Sequence, residues 1–337
     1  MKVSDFLYDL PESSIAQSAI EPRHAARLLD TRDLSDHGFL DFPELLAPGD
    51  LVVVNETRVR AARLEGRRQG TGGRVELLIL EHLGDGSWQA LARPARRLRP
   101  GAVVELKMAT ATVIEALGEG LVTLTLDSDD PKALIASTGT MPLPPYFTGS
   151  LNDPGRYQTM FANLPGSAAA PTAGLHFTPE VIYRLRERGI GTARVDLHVS
   201  LDTFRPMTVE HVEDHVMHTE LCSVPEETAK AIYDTRTGGG RVVAVGTTVV
   251  RTLESLSDGR GGVRAGSGAT GLFLRPGSRI TVPDLLVTNF HLPGSTLLVL
   301  LEAFMGPGWR KAYGVAVERG YRFLSFGDAM LAERAPS

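Results

Sequence analysis

The chain contains nine histidines, and one of them, His176, ends a loop whose composition is typical of a ligand-binding floor. Residues 166–178 carry no Asp, Glu, Lys or Arg, and their glycines and proline interrupt regular structure. Small side chains let a ligand approach the backbone, and Thr178-Pro179 then forms a good N-cap and first turn for a helix. An imidazole placed there can donate or accept a proton. A tightly packed connection with His176 hydrogen-bonded inside the protein is the alternative interpretation.

Further polar side chains follow predicted buried strands. In the segment 242–254, an apolar strand ends at a glycine, and two threonines open a helix that carries Arg251 one turn later. Free N–H groups at a helix start favour a carboxylate or a ribose, although an ordinary capped helix has the same pattern. Ligands bind beyond the carboxyl ends of strands in α/β sheets, so we expect these strand-end residues to form one polar pocket. They are His198, Gly246, Thr247, Thr248, Asn289 and His291.

A third group of histidines has the spacing of metal ligands. His211, His215 and His218 would share one face of a helix, with Glu220 close behind, so a zinc site is one interpretation. Two acidic residues interleave, and the single cysteine of the chain cannot supply a cysteine cage. Acid–base or polar contacts and solvated histidines are the other interpretations.

Composition limits the classes of protein to consider. The hydrophobic fraction of 42% and the charged fraction of 22% are typical of a soluble globular protein. No apolar run reaches the ~20 residues that cross a bilayer, and the N-terminus lacks the pattern of a signal peptide. One cysteine excludes a disulfide framework. We therefore expect a cytoplasmic protein without a membrane partner.

The charge is distributed unevenly. The formal net charge is −5, yet residues 58–107 hold eleven basic and five acidic side chains. Such asymmetry suits a protein that holds a polyanion with one region and performs chemistry in another. A solvated arginine-rich surface is the alternative interpretation.

Two patterns of secondary structure divide the chain. Six short apolar runs at spacings of roughly 8–12 residues predict a small antiparallel barrel, with strands at 61–65, 75–80, 88–92, 103–107, 112–116 and 121–126. After residue 155, strands alternate with helices, which predicts a mainly parallel sheet covered by helices. We therefore expect a mixed α/β domain built from residues 1–58 and 153–337. The barrel domain is inserted between them as residues 59–152.

Shorter segments carry their own expectations. Ala25–Leu29 and Phe42–Leu46 are predicted to be helical, and 51–54 to be a buried strand. Residues 266–271 match GxGxxG literally, but they follow a loop rather than a strand. A dinucleotide fingerprint must follow a strand and open a helix, so we expect a flexible loop there.

Taken together, these segments resemble the S-adenosylmethionine:tRNA ribosyltransferase-isomerase family of queuosine biosynthesis. The resemblance is collinear and covers nearly the whole chain, which makes it more specific than any single motif. The matching segments are 6–11, 15–17, 27–29, 49–51, 55–59, 141–146, 156–159, 170–178, 215–220, 245–248, 251–254, 288–293, 321–323 and 327–330. The chain departs from the family's usual pattern at Ser200 and Asp202, where glycines are usual, and at Gly294, where lysine is common.

The resemblance implies a reaction and its partners. The ribosyl part of S-adenosylmethionine (AdoMet) would be transferred to a 7-aminomethyl-7-deazaguanine base in tRNA and rearranged to an epoxycyclopentanediol, with release of adenine and methionine. AdoMet is then a consumed substrate, and neither a metal nor an organic cofactor is expected. We expect the protein to be a monomer. A non-catalytic relative that binds tRNA or AdoMet, and a zinc hydrolase built on the histidines, are the competing interpretations.

The resemblance also implies roles for the residues singled out above. Acid–base work would draw on six side chains: His176, His198, His215, His218, Glu220 and His291. Substrate would be held or oriented by seven residues: Thr172, Gly246, Thr247, Thr248, Arg251, Asn289 and Asp328. The tRNA phosphates would meet five arginines: Arg58, Arg96, Arg97, Arg99 and Arg156.

Overall fold

The structure is a computed structural model that describes residues 1–118, 120–149, 151, 153–200 and 206–336. The departure at Asp202 therefore lies outside the described residues. The chain divides into two compact units, one comprising Met1–Arg58 with Pro144–Ser337 and the other comprising Val59–Leu143. Of residues 144–152, which we assigned to the inserted domain, those that the structure describes group with the larger unit. Gln17 holds this segment through hydrogen bonds with the Tyr146 carbonyl and the Thr148 N–H, at 3.0 and 2.9 Å.

The described residues form seventeen strands and six α-helices. The strands are β1 (Arg27–Asp30), β2 (Ser35–Gly38), β3 (Leu51–Asn55), β4 (Thr57–Val59), β5 (Arg63–Arg68), β6 (Arg74–His82), β7 (Ser87–Arg93), β8 (Val103–Leu106), β9 (Thr110–Gly118), β10 (Leu121–Asp127), β11 (Leu164–Ser167), β12 (Gly191–Leu197), β13 (Glu220–Val224), β14 (Val242–Val245), β15 (Gly266–Thr270), β16 (Leu285–Asn289) and β17 (Ala329–Glu333). The helices are α1 (Pro131–Thr138), α2 (Pro179–Glu187), α3 (Glu226–Thr237), α4 (Thr247–Ser255), α5 (Thr296–Met305) and α6 (Trp309–Glu318). Over the described residues, none of these helices has both the length and the apolar character to cross a membrane.

The larger unit contains a mixed sheet of nine described strands in the order β15-β13-β12-β3-β14-β16-β17-β1-β2. The four central strands, from β12 to β16, run parallel to one another. β13 pairs antiparallel with β12, and β17 pairs antiparallel with β16. The predicted mixed α/β fold is therefore confirmed, and the expected parallel arrangement is found at the centre of the sheet.

Side chains of the central strands alternate between two apolar cores, one on each face of the sheet. Val53 and Ala244 belong to one core, together with apolar residues of α4, α5 and α6. Val52 and Val243 belong to the other, together with apolar residues of α2. Because both faces are covered, these strands are apolar throughout. Because the four central strands run parallel, their carboxyl ends form a single sheet edge.

The smaller unit is a closed antiparallel barrel with the strand order β10-β7-β6-β5-β8-β9. All six predicted strands are present, with ends shifted by a few residues. Gly66 in β5 lies so close to β8 that an added Cβ would come within 2.6 Å of the Glu105 carbonyl oxygen. A glycine at this position therefore permits the two strands to approach each other.

Two local predictions were wrong, and a third had the wrong bounds. Ala25–Leu29 is not helical, because Leu28 and Leu29 belong to β1, which pairs with β17 and β2. The segment predicted to be helical at 42–46 is the end of a longer 3-10 helix, Phe39–Leu45. The glycine-rich stretch 266–271 contains β15, an edge strand paired with β13, since backbone hydrogen bonds to a neighbouring strand do not require side chains.

Candidate functional site

An open cleft of about 580 Å³ lies beyond the carboxyl ends of β14 and β16. Parallel strands end at the same edge of a sheet, so the residues that follow them are brought together. The cleft is lined by six of the predicted residues: Thr172, Gly246, Thr247, Thr248, Asn289 and His291. Its apolar lining includes Ala170, Pro171, Leu292 and Leu324. Such a mixture of apolar walls and a few convergent polar groups is typical of a small-molecule site.

The turn between β14 and α4 forms one wall of the cleft. Gly246 has φ 90° and ψ 153°, a conformation that is essentially restricted to glycine. Its N–H donates to the Val287 carbonyl of the neighbouring strand at 2.7 Å, which fixes the start of α4. Thr247 and Thr248 are then both buried, and the Thr248 hydroxyl has no hydrogen-bond partner among the described residues.

Asn289, at the end of β16, is the centre of a buried hydrogen-bond network. Its Oδ1 accepts from the Thr172 hydroxyl at 2.9 Å. Its Nδ2 donates to the Asp328 carbonyl at 3.3 Å and lies 3.1 Å from His176 Nε2. A carbonyl can only accept, so the amide nitrogen must face it. The same nitrogen therefore donates to His176, whose Nε2 carries no proton.

His176 lies behind this network rather than in the cleft. It lines a separate cavity of about 270 Å³, together with Arg23 and Arg156. Burial, and to a smaller extent the charges of Arg322 and Arg23, lower the pKa of His176 to about 4. Asn289 hydrogen-bonds to both Thr172 and His176, and of these two only Thr172 lines the cleft. The acid–base role of His176 stays a prediction.

His291 does line the cleft. Its Nε2 is 3.1 Å from the Thr288 hydroxyl, and its N–H donates to the Tyr313 hydroxyl at 2.8 Å. Burial lowers the pKa of His291 to about 3. The imidazole is therefore neutral at pH 7 and serves as a hydrogen-bonding group in the cleft wall, with its ring held by Thr288 and its backbone N–H held by Tyr313.

His198 follows β12 and is the most accessible of the predicted strand-end histidines. Its Nε2 lies 3.0 Å from Asp196 Oδ2, with 33% of the His198 side chain exposed. The ring packs on Gly166, where an added Cβ would come within 2.3 Å of it. A carboxylate beside the ring orients it as in many acid–base pairs. The following residue, Val199, lines the cleft, so His198 lies beside the cleft along the chain.

The predicted helical face of histidines is not formed. Val212–Asp214 is a single 3-10 turn, and residues 215–219 have no regular structure. His218 is exposed, and the His215 ring lies 5.7 Å from the ring of Phe273. Among the residues that the structure describes, no group of three His, Cys, Asp or Glu side chains could hold a metal ion.

Glu220, at the start of β13, and Arg251, on α4, form a buried ion pair. Both side chains are at most 5% exposed. Glu220 also accepts the Ser200 N–H at 2.8 Å, and Arg251 Nε donates to the Leu272 carbonyl at 3.1 Å. Removing one partner would leave the other charge buried and uncompensated. Glu220, which we assigned to acid–base work, is thus engaged in fixing Arg251.

Asp328 does not line the cleft. Its carboxylate accepts the N–H groups of Arg27 and Arg322, at 2.9 and 2.8 Å, and its carbonyl accepts from Asn289. These contacts tie the start of β1 to the chain segment before β17. The structure therefore places Asp328 as a support for Asn289.

The predicted tRNA-binding arginines differ in the exposure of their side chains. Arg96, Arg97 and Arg99 are exposed on the barrel unit and line an open surface groove. Arg58 is also exposed and donates to the Ala162 carbonyl at 2.9 Å. Arg156, in contrast, has a side chain only 17% exposed and pairs with Glu21 at 2.8 Å, so its guanidinium is already occupied.

Several residues of the cleft wall were not predicted. They are Tyr146, Thr288, Ser295 and Ser325. The hydroxyl groups of Tyr146 and Ser325 are hydrogen-bonded to each other. Both belong to irregular segments far apart in the sequence, so strand-end position could not identify them. The segment 141–146 did carry part of the family resemblance, and that was the available signal.

Comparisons with known proteins agree on one family. The family model described as "Queuosine biosynthesis protein" matches residues 3–332. The chain is 49% identical to the S-adenosylmethionine:tRNA ribosyltransferase-isomerase of Moorella thermoacetica, over 98% of this chain and 99% of that protein. It is 50% identical to the enzyme of the same name from Rubrobacter xylanophilus, over 98% of this chain and 97% of that protein. The crystal structure of S-adenosylmethionine tRNA ribosyltransferase from Thermotoga maritima matches with a TM-score of 0.55 and 36% identity, covering 97% and 99% of the two chains.

Proposed function

The chain belongs to the queuosine biosynthesis protein family, and on that premise we propose that it is an S-adenosylmethionine:tRNA ribosyltransferase-isomerase. Near-complete coverage at 45–50% identity by relatives of that name carries the proposal. An open cleft with convergent polar groups at the carboxyl edge of the parallel strands supports it.

The proposed reaction transfers the ribosyl group of AdoMet to the aminomethyl nitrogen of a 7-deazaguanine base in tRNA. The positive sulfur acidifies the neighbouring C5′–H, whose proton goes to a base. The C5′–S bond breaks with its electron pair left on sulfur, which gives methionine. The glycosidic bond breaks with its pair on adenine, which takes up a proton. At C5′, two new bonds replace those to hydrogen and sulfur: one to C1′, which closes the carbocycle where adenine has left, and one to the former ring oxygen, which closes the epoxide. The bond from that oxygen to C4′ breaks with its electron pair on oxygen, and the amine nitrogen bonds to C4′ and loses a proton, which gives the epoxycyclopentanediol.

The polar side of the cleft supplies groups for the ribose hydroxyls. Thr172, Asn289 and His291 line it together with the backbone N–H groups at the start of α4. Hydroxyls both donate and accept, so neutral partners of both kinds suit them. We assign these residues to holding the ribosyl group while its bonds to sulfur and adenine break.

The histidines differ in their fitness for proton transfer. A catalytic acid or base works best with a pKa near the operating pH. Burial lowers the pKa of His176 to about 4 and that of His291 to about 3, so both are weak bases and neutral at pH 7. We propose His198 for proton transfer on its geometry, because its side chain is partly exposed and its ring is oriented by Asp196.

The remaining parts of the proposal concern tRNA contacts, cofactors, oligomeric state and cellular location. The exposed arginines of the barrel, Arg96, Arg97 and Arg99, are proposed to meet tRNA phosphates, since phosphate contacts position a nucleic acid. AdoMet is proposed to be consumed without a further cofactor, because its sulfonium is already a leaving group. We also propose that the protein acts as a monomer in the cytoplasm, where its tRNA substrate is found.

Labelled AdoMet tests this function directly. The purified protein is incubated with AdoMet and with tRNA that carries the aminomethyl precursor base, and adenine and methionine are measured. Equimolar, tRNA-dependent release of both is expected. Binding of AdoMet or tRNA without adenine release would favour the non-catalytic alternative. A hydrolytic activity that depends on stoichiometric zinc would favour the zinc hydrolase alternative.

A further inference from the structure

Gly166, in β11, forms a floor under the His198 ring. An added Cβ at Gly166 would come within 2.3 Å of Cε1, 2.5 Å of Nε2 and 2.7 Å of Nδ1 of His198. The backbone of Gly166 does not have a positive φ, so its conformation would accept a side chain. Unbonded carbon atoms pack at ~3.5–4.0 Å, and the space that the ring occupies is therefore what requires glycine at this position.

Hydrogen bonds from two neighbouring segments fix the backbone that carries this ring. The Ser167 hydroxyl accepts the N–H of Val199 at 2.6 Å, and the N–H of Ala168 donates to the Val199 carbonyl at 3.0 Å. The His198 N–H donates to the Leu221 carbonyl at 2.9 Å. Because the backbone is held in this way, the freedom that remains to the imidazole is rotation about its side-chain bonds.

Asp196 and Gly166 together limit that rotation. Asp196 Oδ2 lies 3.0 Å from His198 Nε2, and a carboxylate oxygen can only accept a hydrogen bond. The carboxylate therefore favours the proton on Nε2, which leaves the lone pair of the neutral imidazole on Nδ1. One-third of the His198 side chain is exposed, so a ring held in this position is still open to a ligand.

We propose that Gly166 is a positioning residue for His198, which holds the ring so that Nδ1 takes the C5′ proton of AdoMet. The inference rests on the proposed function, in which His198 is the group for proton transfer. The loop that follows Gly166 continues into the cleft wall at residues 170–173, and Val199 lines the same cleft. The ring and the wall of the cleft are therefore held by one continuous segment of the chain.

The proton transfer is balanced by the groups that hold the ring. The Nδ1 lone pair accepts the proton, the electron pair of the C5′–H bond stays on carbon, and the imidazole becomes an imidazolium. The Asp196 carboxylate, 3.0 Å from Nε2, then faces a positive ring and stabilises it. A positioned base contributes ~10²–10⁴-fold to a rate, and a displacement of about 1 Å can cost about 10²-fold. The position of the ring over Gly166 should therefore control turnover.

A double-mutant cycle on kcat for tRNA-dependent adenine release tests this role. Gly166→Ala should displace the ring by about 1 Å and lower kcat by about 10²-fold, with little change in the KM values for AdoMet and tRNA. His198→Ala should lower kcat by about 10²-fold or more. In the His198→Ala background, Gly166→Ala should have no further effect, because the ring through which it acts is gone. Effects that multiply would overturn the proposal.

Gly268→Ala is the matched control, since Gly268 also lies in a strand, β15, and an added Cβ there would meet no atom within 4 Å. That variant should retain the wild-type kcat. Nitrogen-15 NMR gives a readout that does not depend on turnover. The ring signals of His198, identified by their loss in His198→Ala, should show the proton of the neutral ring on Nε2. Gly166→Ala should shift these signals, whereas Gly268→Ala should not.

The outcomes distinguish this inference from the proposed function. Wild-type kcat in Gly166→Ala or in His198→Ala, or unchanged His198 signals in Gly166→Ala, would overturn the positioning role in an active enzyme. If Gly166→Ala unfolds, the double variant should regain the denaturation midpoint of His198→Ala, and failure to do so would also overturn it. A wild-type protein that releases no adenine would refute the proposed function, and the NMR signals would still decide whether Gly166 holds the ring.

Discussion

Replacing Asn289 by leucine removes the amide that joins Thr172, His176 and the Asp328 carbonyl. Thr172 is half-buried and can turn its hydroxyl toward the cleft, but His176 Nε2 and the Asp328 carbonyl lose a buried donor. Each unsatisfied buried acceptor costs about 1–3 kcal/mol, and the apolar leucine recovers ~1–2 kcal/mol. At the middle of these ranges, the free energy of unfolding should therefore fall by about 2–3 kcal/mol.

Urea denaturation at pH 7.5 measures this loss. Asn163→Leu is the matched control, because Asn163 is exposed and its side chain makes a long hydrogen bond, 3.3 Å, to Glu56. That variant should stay within about 0.5 kcal/mol of the wild-type protein. If Asn289→Leu were no more destabilising than Asn163→Leu, the Asn289 amide would not be the centre of the network. The proposal that Asn289 binds the ribosyl group would then be unsupported.

Three further predictions concern acidification, the turn before α4 and tRNA binding. Burial lowers the folded-state pKa of His176 to about 4 and that of His291 to about 3. The stability that their neutral forms contribute is therefore complete above pH ~6.5 and is lost as the pH falls toward those values, by on the order of 3 kcal/mol for His176 and on the order of 5 kcal/mol for His291. NMR titration should show both rings neutral at pH 5.5, and a ring that titrates near pH 6.5 would contradict this. Gly246→Ala should lower the free energy of unfolding by about 1–3 kcal/mol, because φ is 90° there, and an unchanged denaturation midpoint would refute the strain. Arg97→Ala and Arg99→Ala should each weaken tRNA binding and reduce the slope of log affinity against log salt by ~1, whereas an unchanged slope would exclude a phosphate contact.

The barrel and the position of the cleft could be predicted from local patterns. Short alternating strands between turns determine the barrel, and the strand-end residues Gly246, Asn289 and His291 do line one cleft. These predictions succeed because strand periodicity and the shared edge of parallel strands are properties of the sequence and of general topology.

Other features depend on partners that a local pattern does not contain. β15 consists of Gly-Ser-Gly-Ala-Thr, and its backbone pairs with β13. His176 is in a loop of small residues, yet its side chain lies behind Asn289 and not in the cleft. Tyr146 and Ser325 meet in the cleft wall across 179 residues of sequence. Only the folded chain shows which of these side chains contact one another.

The fate of the ribose is the most direct test of the proposed function. AdoMet labelled in its ribosyl carbons is incubated with the protein and with tRNA bearing the precursor base, and the tRNA is then digested and analysed by mass spectrometry. We predict that the label appears on the modified base, in an amount equal to the adenine released. Release of labelled adenosine-derived products with an unlabelled tRNA, or no tRNA-dependent turnover, would contradict the assignment of this chain as a ribosyltransferase-isomerase.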